Sequence, residues 1–145
     1  ISLTYKKMPF LRIAPICNGK IYVAPRSYQG EEPGKLDIPM EDYIYACKTD
    51  TDKYAKEVEN KYSNHITGQP EPRFSLKHLV KETNGVKKTI MLYILPLNDE
   101  EQIHFTGGKF VTPEEIEMNS AQYSSFLKEE IDHLNIVTQM WEEFK

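Results

Sequence analysis

The chain has 145 residues, with 18 Lys and Arg against 22 Asp and Glu, a formal net charge of −4. That length suits one domain, 1–145, whose core stands without staples, and 11% aromatic residues exclude a disordered chain. No apolar run approaches the ~18 residues of a membrane span, no signal-peptide pattern opens the chain, and the acidic balance speaks against a general nucleic-acid binder.

The first residue is Ile1 rather than Met, which leaves open whether this is a domain of a longer protein. Cys17 and Cys47 stand far apart with no Cys-x-x-Cys. They read as reduced core thiols, which suits a cytoplasmic setting. His65, His78, His104 and His133 form no ligand-spaced pair, so they read as surface or half-buried side chains and no metal site is predicted from them.

Leu11 to Cys17 is apolar and extended, Asn18-Gly19 follows, and Ile21 to Ala24 returns. Asn-Gly between two such runs is the strongest short hairpin signal. Ser27 to Lys35 is a loop, and Leu36 to Pro39 a short strand. Ile44 to Cys47 is apolar and leads into a helix over Thr51–Tyr62, where Tyr54, Val58 and Tyr62 form one narrow stripe. Ser63 to Pro72 cannot stay helical, with Gly68, Pro70 and Pro72 inside it. Arg73 to Glu82 alternates, placing Phe74, Leu76, His78 and Val80 on one face and Ser75 and Lys77 on the other. Asn84-Gly85 turns the chain. Thr89 to Leu97 is apolar on both faces, which predicts a central strand covered on both sides. Asn98 to Glu101 is a loop, with Gln102–Phe105 and Lys109–Val111 extended. Gly107-Gly108-Lys109 lacks phosphate-loop spacing and reads as a turn. Thr112-Pro113-Glu114-Glu115 is a helix start with cap, Pro at the first position and a capping-box Glu. From about Ser120, apolar residues recur every three or four positions to Phe144, which predicts one long amphipathic helix, bent near Asn135. The order predicts an α/β (α+β) sandwich with helices against a mixed sheet.

Arg12 to Arg26, from Arg-Ile-Ala-Pro-Ile-Cys through Asn-Gly-Lys to Ile-Tyr-Val-Ala-Pro-Arg, resembles the first hairpin of Nudix (MutT-like) hydrolases. Gly34 to Pro39 resembles the family's Gly-x-Trp-x-x-Pro strand. Lys56-Glu57-Val58 resembles the Arg-Glu-hydrophobic core of its catalytic helix, and Phe110 to Ile116 its late Glu-Glu segment. The likeness runs through nearly the whole chain in order. It implies a Nudix-like α/β/α sandwich with a mixed central sheet and a long C-terminal helix.

The likeness breaks where the family's chemistry lies. Met40-Glu41 replaces the glycine pair after the proline, and Glu57, Asn60 and Lys61 fall where the family places three metal-binding carboxylates. The family's first box glutamate falls on Lys48. Positions i, i+3 and i+4 share a helix face, and hard divalent ions want several carboxylate oxygens. Formal charge on that face changes from −3 to −1 + 0 + 1 = 0. An ammonium ~4 Å from a metal repels it by about 4 kcal/mol per unit of metal charge at an effective dielectric near 20.

The resemblance with these departures implies a degenerate Nudix site with lost or much weakened pyrophosphohydrolase activity. Such a domain would bind a nucleotide or other diphosphate, or serve as an interaction module. Its partners would be that ligand, a second copy or other domains of a parent chain, with no specific nucleic acid and no membrane. No cofactor is implied. Mg²⁺ or Mn²⁺ enters only with the alternative of an active, atypical hydrolase cleaving a nucleoside diphosphate linked to X, using Glu57, Glu59, Glu41 or loop acids. An unrelated small α+β adaptor is the remaining reading. The pocket is expected between the first hairpin, the Leu36–Ile38 strand and the Thr51–Tyr62 helix. Glu57 is the single retained box carboxylate and candidate catalytic residue. Arg26 is the candidate phosphate contact by its forked donors. Lys56 and Lys61 add positive charge, and Phe74, with Tyr93, is a candidate for stacking a base.

Overall fold

The computed structural model describes residues 10–43, 51–81, 85 and 87–145. Its strands are β1 (Phe10–Cys17), β2 (Lys20–Pro25), β3 (Leu36–Asp37), β4 (Met40–Tyr43), β5 (Arg73–Lys81), β6 (Lys87–Pro96) and β7 (Lys109–Val111). Its α-helices are α1 (Thr51–Lys61), α2 (Pro113–Met118) and α3 (Ser125–Phe144). Sequence expectations for Ile44–Cys47, Lys48 and Asn84 lie outside the described residues.

The sheet is mixed and runs β3-β2-β1-β6-β5, with β4 added on β1 and β7 on β2. Asn18 (φ 53°) and Gly19 (φ 76°) both take the left-handed conformation that a two-residue hairpin turn demands. β6 pairs in parallel with β1 and antiparallel with β5, so the apolar run over Ile90–Leu95 is a central strand. Alternation sends Ala14, Ile16, Leu92 and Ile94 to one face, against Leu127, Ile131 and Leu134 of α3. It sends Leu11, Ile13, Tyr93 and Leu95 to the other, against Ala55 and Val58 of α1. Trp141 packs on the edge of the α3 layer, beneath the Arg73 guanidinium. The result is the three-layer α/β/α sandwich the sequence predicts.

One edge of β1 carries two partners. β4 pairs along Phe10–Ile13, and β2 pairs at Ile16–Cys17. Pro15, which has no N–H to offer a ladder, falls between the two paired stretches. From there β2 diverges to join β3 and β7. This divergence opens the sheet, and the candidate site lies at the opening.

Several local expectations change. Met40-Glu41, read as a departure from a glycine turn, belongs to β4. A bulge between Phe74 and Leu76 puts these residues on opposite faces. Phe74 meets Tyr93 edge-on at 5.6 Å, whereas Leu76 packs in the α3 layer. The extra residue of a bulge breaks the period-two alternation that placed them together. The helix predicted from Ser120 begins at Ser125. Ser120–Gln122 is a separate 3-10 turn, and the Ser124 hydroxyl caps α3 by accepting the Leu127 N–H at 3.1 Å. α3 runs through Asn135 as one continuous helix. On α1, Val58 is buried as predicted, but Ala55 and Glu59 are buried too, and Tyr54 and Tyr62 are only half-buried.

Gly108 must be glycine for a steric reason. A Cβ there would overlap the buried Tyr22 hydroxyl, which accepts the Phe105 N–H at 2.8 Å. Gly108→Ala should therefore lower stability by about 1–3 kcal/mol through overpacking, read as a shift in the chemical denaturation midpoint. Gly19→Ala is a different kind of change, with open space around the Cβ, and should cost only the left-handed backbone strain, about 1 kcal/mol.

Candidate functional site

The site begins with a charge in the middle of an apolar strand. Arg12 is fully buried, and so are Asp37 of β3 and Glu130 of α3. Its guanidinium has five N–H donors, and the surroundings use all of them. Nε and Nη2 grip Glu130 at 3.0 and 2.8 Å. Nη2 and Nη1 grip Asp37 at 2.7 and 3.1 Å. Nη1 also reaches Glu41 of β4 at 2.5 Å. Such two-pronged pairing is the strong form of the Arg–carboxylate bond.

The network extends in both directions. Toward the divergent strands, Arg26 donates from Nη1 to Asp37 at 2.5 Å and from Nε to the Glu31 carbonyl at 2.8 Å. Its Nη1 lies 3.5 Å from Glu41 Oε2. Toward β5, His78 Nε2 donates to Glu130 at 3.0 Å, and His133 Nε2 meets the Ser75 hydroxyl at 2.6 Å. Phe126 roofs the arginines, its ring centre 5.3 Å from the Arg12 guanidinium and 5.6 Å from that of Arg26.

Burial and neighbouring charge compete at each group. Burial alone would raise the Asp37 carboxyl, but Arg12 and Arg26 overcome it and hold it below the usual range. At Glu41 burial wins: with Asp37 also nearby, its carboxyl is raised despite the arginines. Burial would weaken the Arg12 charge, and its carboxylates more than restore it, so Arg12 stays cationic at any accessible pH. His133 is pushed down by burial and by neighbouring His78, against a smaller upward pull from Glu130.

A cleft of about 520 Å³ opens beside this network, lined by Ala24–Ser27, Gly30-Glu31, Asp37–Pro39, Glu41, Tyr62, His65 and Phe105-Thr106. Its position matches the expected one, at the end of the first hairpin, the Leu36–Ile38 segment and the C-terminal end of α1. One wall is aromatic. His65 stacks on Phe105 at 4.0 Å with 7° between planes, and Tyr62 lies 5.8 Å from Phe105. The Tyr62 hydroxyl donates to the Glu41 carbonyl at 3.1 Å. His65 Nδ1 lies 2.9 Å from the His104 carbonyl. A carbonyl accepts only, so Nδ1 carries the proton.

Of the candidate site residues singled out in the sequence, Arg26 and Glu41 line this cleft. Glu57 is exposed on α1. Lys56 pairs with the buried Glu59 at 3.0 Å, and Lys61 pairs with Asp42 of β4. Phe74, half-exposed on the edge strand β5, belongs to neither wall. These candidates therefore do not form one constellation. A divalent metal does not fit the predicted face, since Glu57 shares it with Asn60 and the cation of Lys61. Among the described residues no three His, Cys, Asp or Glu side chains gather with metal-binding geometry. Cys17 is a buried free thiol, and Cys47 lies outside the described residues. No helix among the described residues is long and apolar enough to cross a membrane.

The residues that sequence reasoning passed over are Arg12, Glu130, His78 and the cleft aromatics. A signal for two of them was present. Arg12 interrupts a wholly apolar strand, and Glu130 sits at the i+3 and i+4 spacing of the buried α3 stripe with Phe126 and Leu127. A charge at a core position demands a buried partner.

No family model matches this sequence, and no curated protein does. Solved structures do match. A NUDIX hydrolase from Nitrosomonas europaea is 11% identical, with TM-score 0.63 over 91% of this chain and 90% of that one. The Nudix hydrolase RenU from M. smegmatis is 13% identical, with TM-score 0.62 over 92% and 86%. The complex between the C-terminal domain of mouse MUTYH and human PCNA contains a chain 14% identical, with TM-score 0.56 over 95% and 89%. The chain has the Nudix fold.

Removing Arg12 should leave Glu130 buried without its main partner. Arg12→Met is expected to cost about 3–5 kcal/mol, a fall in Tm of roughly 10 °C or more. Adding Glu130→Met should recover part of the loss, because a buried ion pair replaced whole by apolar groups is often neutral; scanning calorimetry on the two variants decides it. The pH profile follows from two opposite shifts. Asp37 is lowered, so its contribution is present above the ordinary carboxyl value of about 3.8 and lost as pH falls below it. Glu41 is raised, so its ionisation disfavours the fold, and stability rises as pH drops from neutral toward about 4.5. The Tm difference between the parent and Glu41→Gln should accordingly shift in the parent's favour between neutral pH and pH 4.5.

Proposed function

We propose that residues 1–145 form one Nudix-fold domain that has lost the metal-dependent pyrophosphohydrolase activity of its structural relatives and works as a binding or interaction module. The observation that carries this reading is the α1 face: Glu57 stands with Asn60 and with Lys61, whose ammonium is already paired to Asp42 of β4. The buried carboxylate of the same helix, Glu59, is likewise occupied by Lys56. Neither arrangement presents the convergent carboxylates a hard divalent ion requires. The fold alone supplies no activity, and one structure of similar fold is itself a protein–protein complex. The cleft beside Arg12 is the natural binding surface, because the divergence of β2 from β1 leaves it open while Arg26 and Glu41 supply its polar groups.

Purified protein with Mg²⁺ or Mn²⁺ should release neither phosphate nor pyrophosphate from nucleoside triphosphates, ADP-ribose or diadenosine tetraphosphate above the protein-free rate. Turnover of roughly 1 s⁻¹ or more on any of them, in the range of ordinary enzymes, would overturn the reading in favour of an atypical hydrolase. Repair of the helix face is a sharper probe. Asn60→Glu with Lys61→Glu restores a formal charge of −3 beside Asp42, which loses its cation. Without metal the added repulsion should lower Tm slightly. At Mn²⁺ a hundredfold above its Kd, binding to the native state should return about 2.7 kcal/mol. The double variant should therefore gain Tm with Mn²⁺ while the parent does not, and equal responses would count against this helix face being the former metal site.

A further inference from the structure

One face of α3 is spent on the core, where Leu127, Ile131, Leu134 and Thr138 are buried. A second apolar row runs along its outer side. Ile136, Met140 and Phe144 are 58%, 61% and 80% exposed. Spaced at i, i+4 and i+8, they form one continuous ridge, the kind that packs into the groove of another helix. Val137 and Trp141, half-buried beside it, widen the apolar strip toward the sheet. Single apolar side chains scattered over a surface are ordinary, but a connected row marks an interaction surface.

The other flank of the row is acidic. At about 3.6 residues per turn, Glu129, Asp132 and Glu143 fall beside Ile136 and Met140, and all three are exposed. Among the described residues none of the three makes an ion pair or a side-chain hydrogen bond. Between Glu129 and Phe144 the helix has no Lys or Arg. The charges at the margins are engaged elsewhere. Glu142 pairs with Lys145 at 3.0 Å, and the Arg73 guanidinium lies over Trp141, 5.2 Å from its ring centre, on the sheet side of the row.

This distribution selects the occupant. A second copy of the chain would bring the same unpaired acids to both sides of the contact, with no cation on either helix to meet them, and like charges across an interface suppress association. A helix with Lys or Arg beside its own apolar row has the complementary pattern, with hydrophobic burial for affinity and opposite charge for register and encounter rate. We infer that the outer face of α3 docks a basic amphipathic helix of a protein partner, its apolar row set against Ile136, Met140 and Phe144 and its cations against Glu129, Asp132 and Glu143. The inference goes beyond the reading of the domain as a non-hydrolysing module, because this face belongs neither to the cleft nor to α1. Turnover of a diphosphate would overturn that reading and leave this one standing.

Trp141 is the single tryptophan of the chain and borders the row, so its emission reports on the face directly. The probe is a blocked peptide of leucine and lysine with leucines at helical spacing, and its leucine–glutamate counterpart is the control. A saturable change in Trp141 emission is expected with the lysine peptide and at least about tenfold weaker binding with the glutamate peptide. Ile136→Ala with Met140→Ala removes the ridge while raising helix propensity, so α3 stays folded, and should weaken the lysine peptide about tenfold or more. Glu129→Gln with Asp132→Asn and Glu143→Gln keeps the ridge and should weaken it about threefold or more, with less salt dependence. Met118→Ala, which truncates an 82% exposed apolar side chain on α2, should leave binding unchanged. No saturable change, equal response to both peptides, or unchanged affinity in either set of α3 variants overturns the inference. So does a concentration-dependent dimer that Ile136→Ala with Met140→Ala abolishes, which would give the face to a second copy.

Discussion

A guanidinium in the centre of the sheet is the constraint around which this protein is arranged. A buried unpaired charge costs several kcal/mol even after relaxation, so Arg12 has to be met by carboxylates from every element within reach. Glu130 descends from α3, Asp37 comes from the short strand β3, and Glu41 comes from β4. Three segments distant in sequence are thereby tied to one point of β1. The network does not need to be the cheapest core; apolar groups of the same volume pack as well. What it does is set where β3 and β4 lie relative to the long helix.

That placement shapes the cleft. β4 occupies the first half of the β1 edge and β2 the last residues, and β2 then leaves to join β3 and β7. The gap between the diverging strands is bounded on its inner side by Asp37 and Glu41, because Arg12 holds both there. Its outer wall comes from the end of α1 and the Phe105 segment, joined by the Ile66–Ile103 bridge and the His104 N–H to His65 carbonyl bond at 2.9 Å. The α1 flank that carries Glu57 and Asn60 has been left to solvent, and Lys61 is spent on β4. Arg12, Arg26, Asp37 and Glu41 thus meet at the sheet opening.

Much of this was legible in the residues. Asn18-Gly19 specified the hairpin, because few other pairs accept two left-handed residues in succession. The two-sided apolar run at Ile90–Leu95 specified a central strand, and Thr112-Pro113 specified the start of α2, whose cap accepts the Glu115 N–H at 3.2 Å. These are local signals, in which the residue and its cause lie within a few positions. The misplacements are of the opposite kind. Phe74 was put with Leu76 because a bulge leaves no mark in an alternating pattern. The α3 start was put at Ser120 because Tyr123 continues the apolar spacing, although its backbone instead bridges to Leu36.

The candidate site divides along the same line. The sequence by itself determined the layered fold, since apolar periodicity and turn signals are properties of residue type at fixed spacing. The core positions of Arg12 and Glu130 could have been read from their spacing, and a charge there demands a partner, but both were passed over. Which partners they take, and that Arg26 is tied through Nη1 to Asp37 and through Nε to the Glu31 carbonyl, was decided by tertiary structure alone. Arg12 and Glu130 are 118 positions apart, and no periodicity or motif reaches across that distance. Charge pairing in a core is set by which surfaces are pressed together, and that is known only once the sheet has formed and α3 has been laid across it.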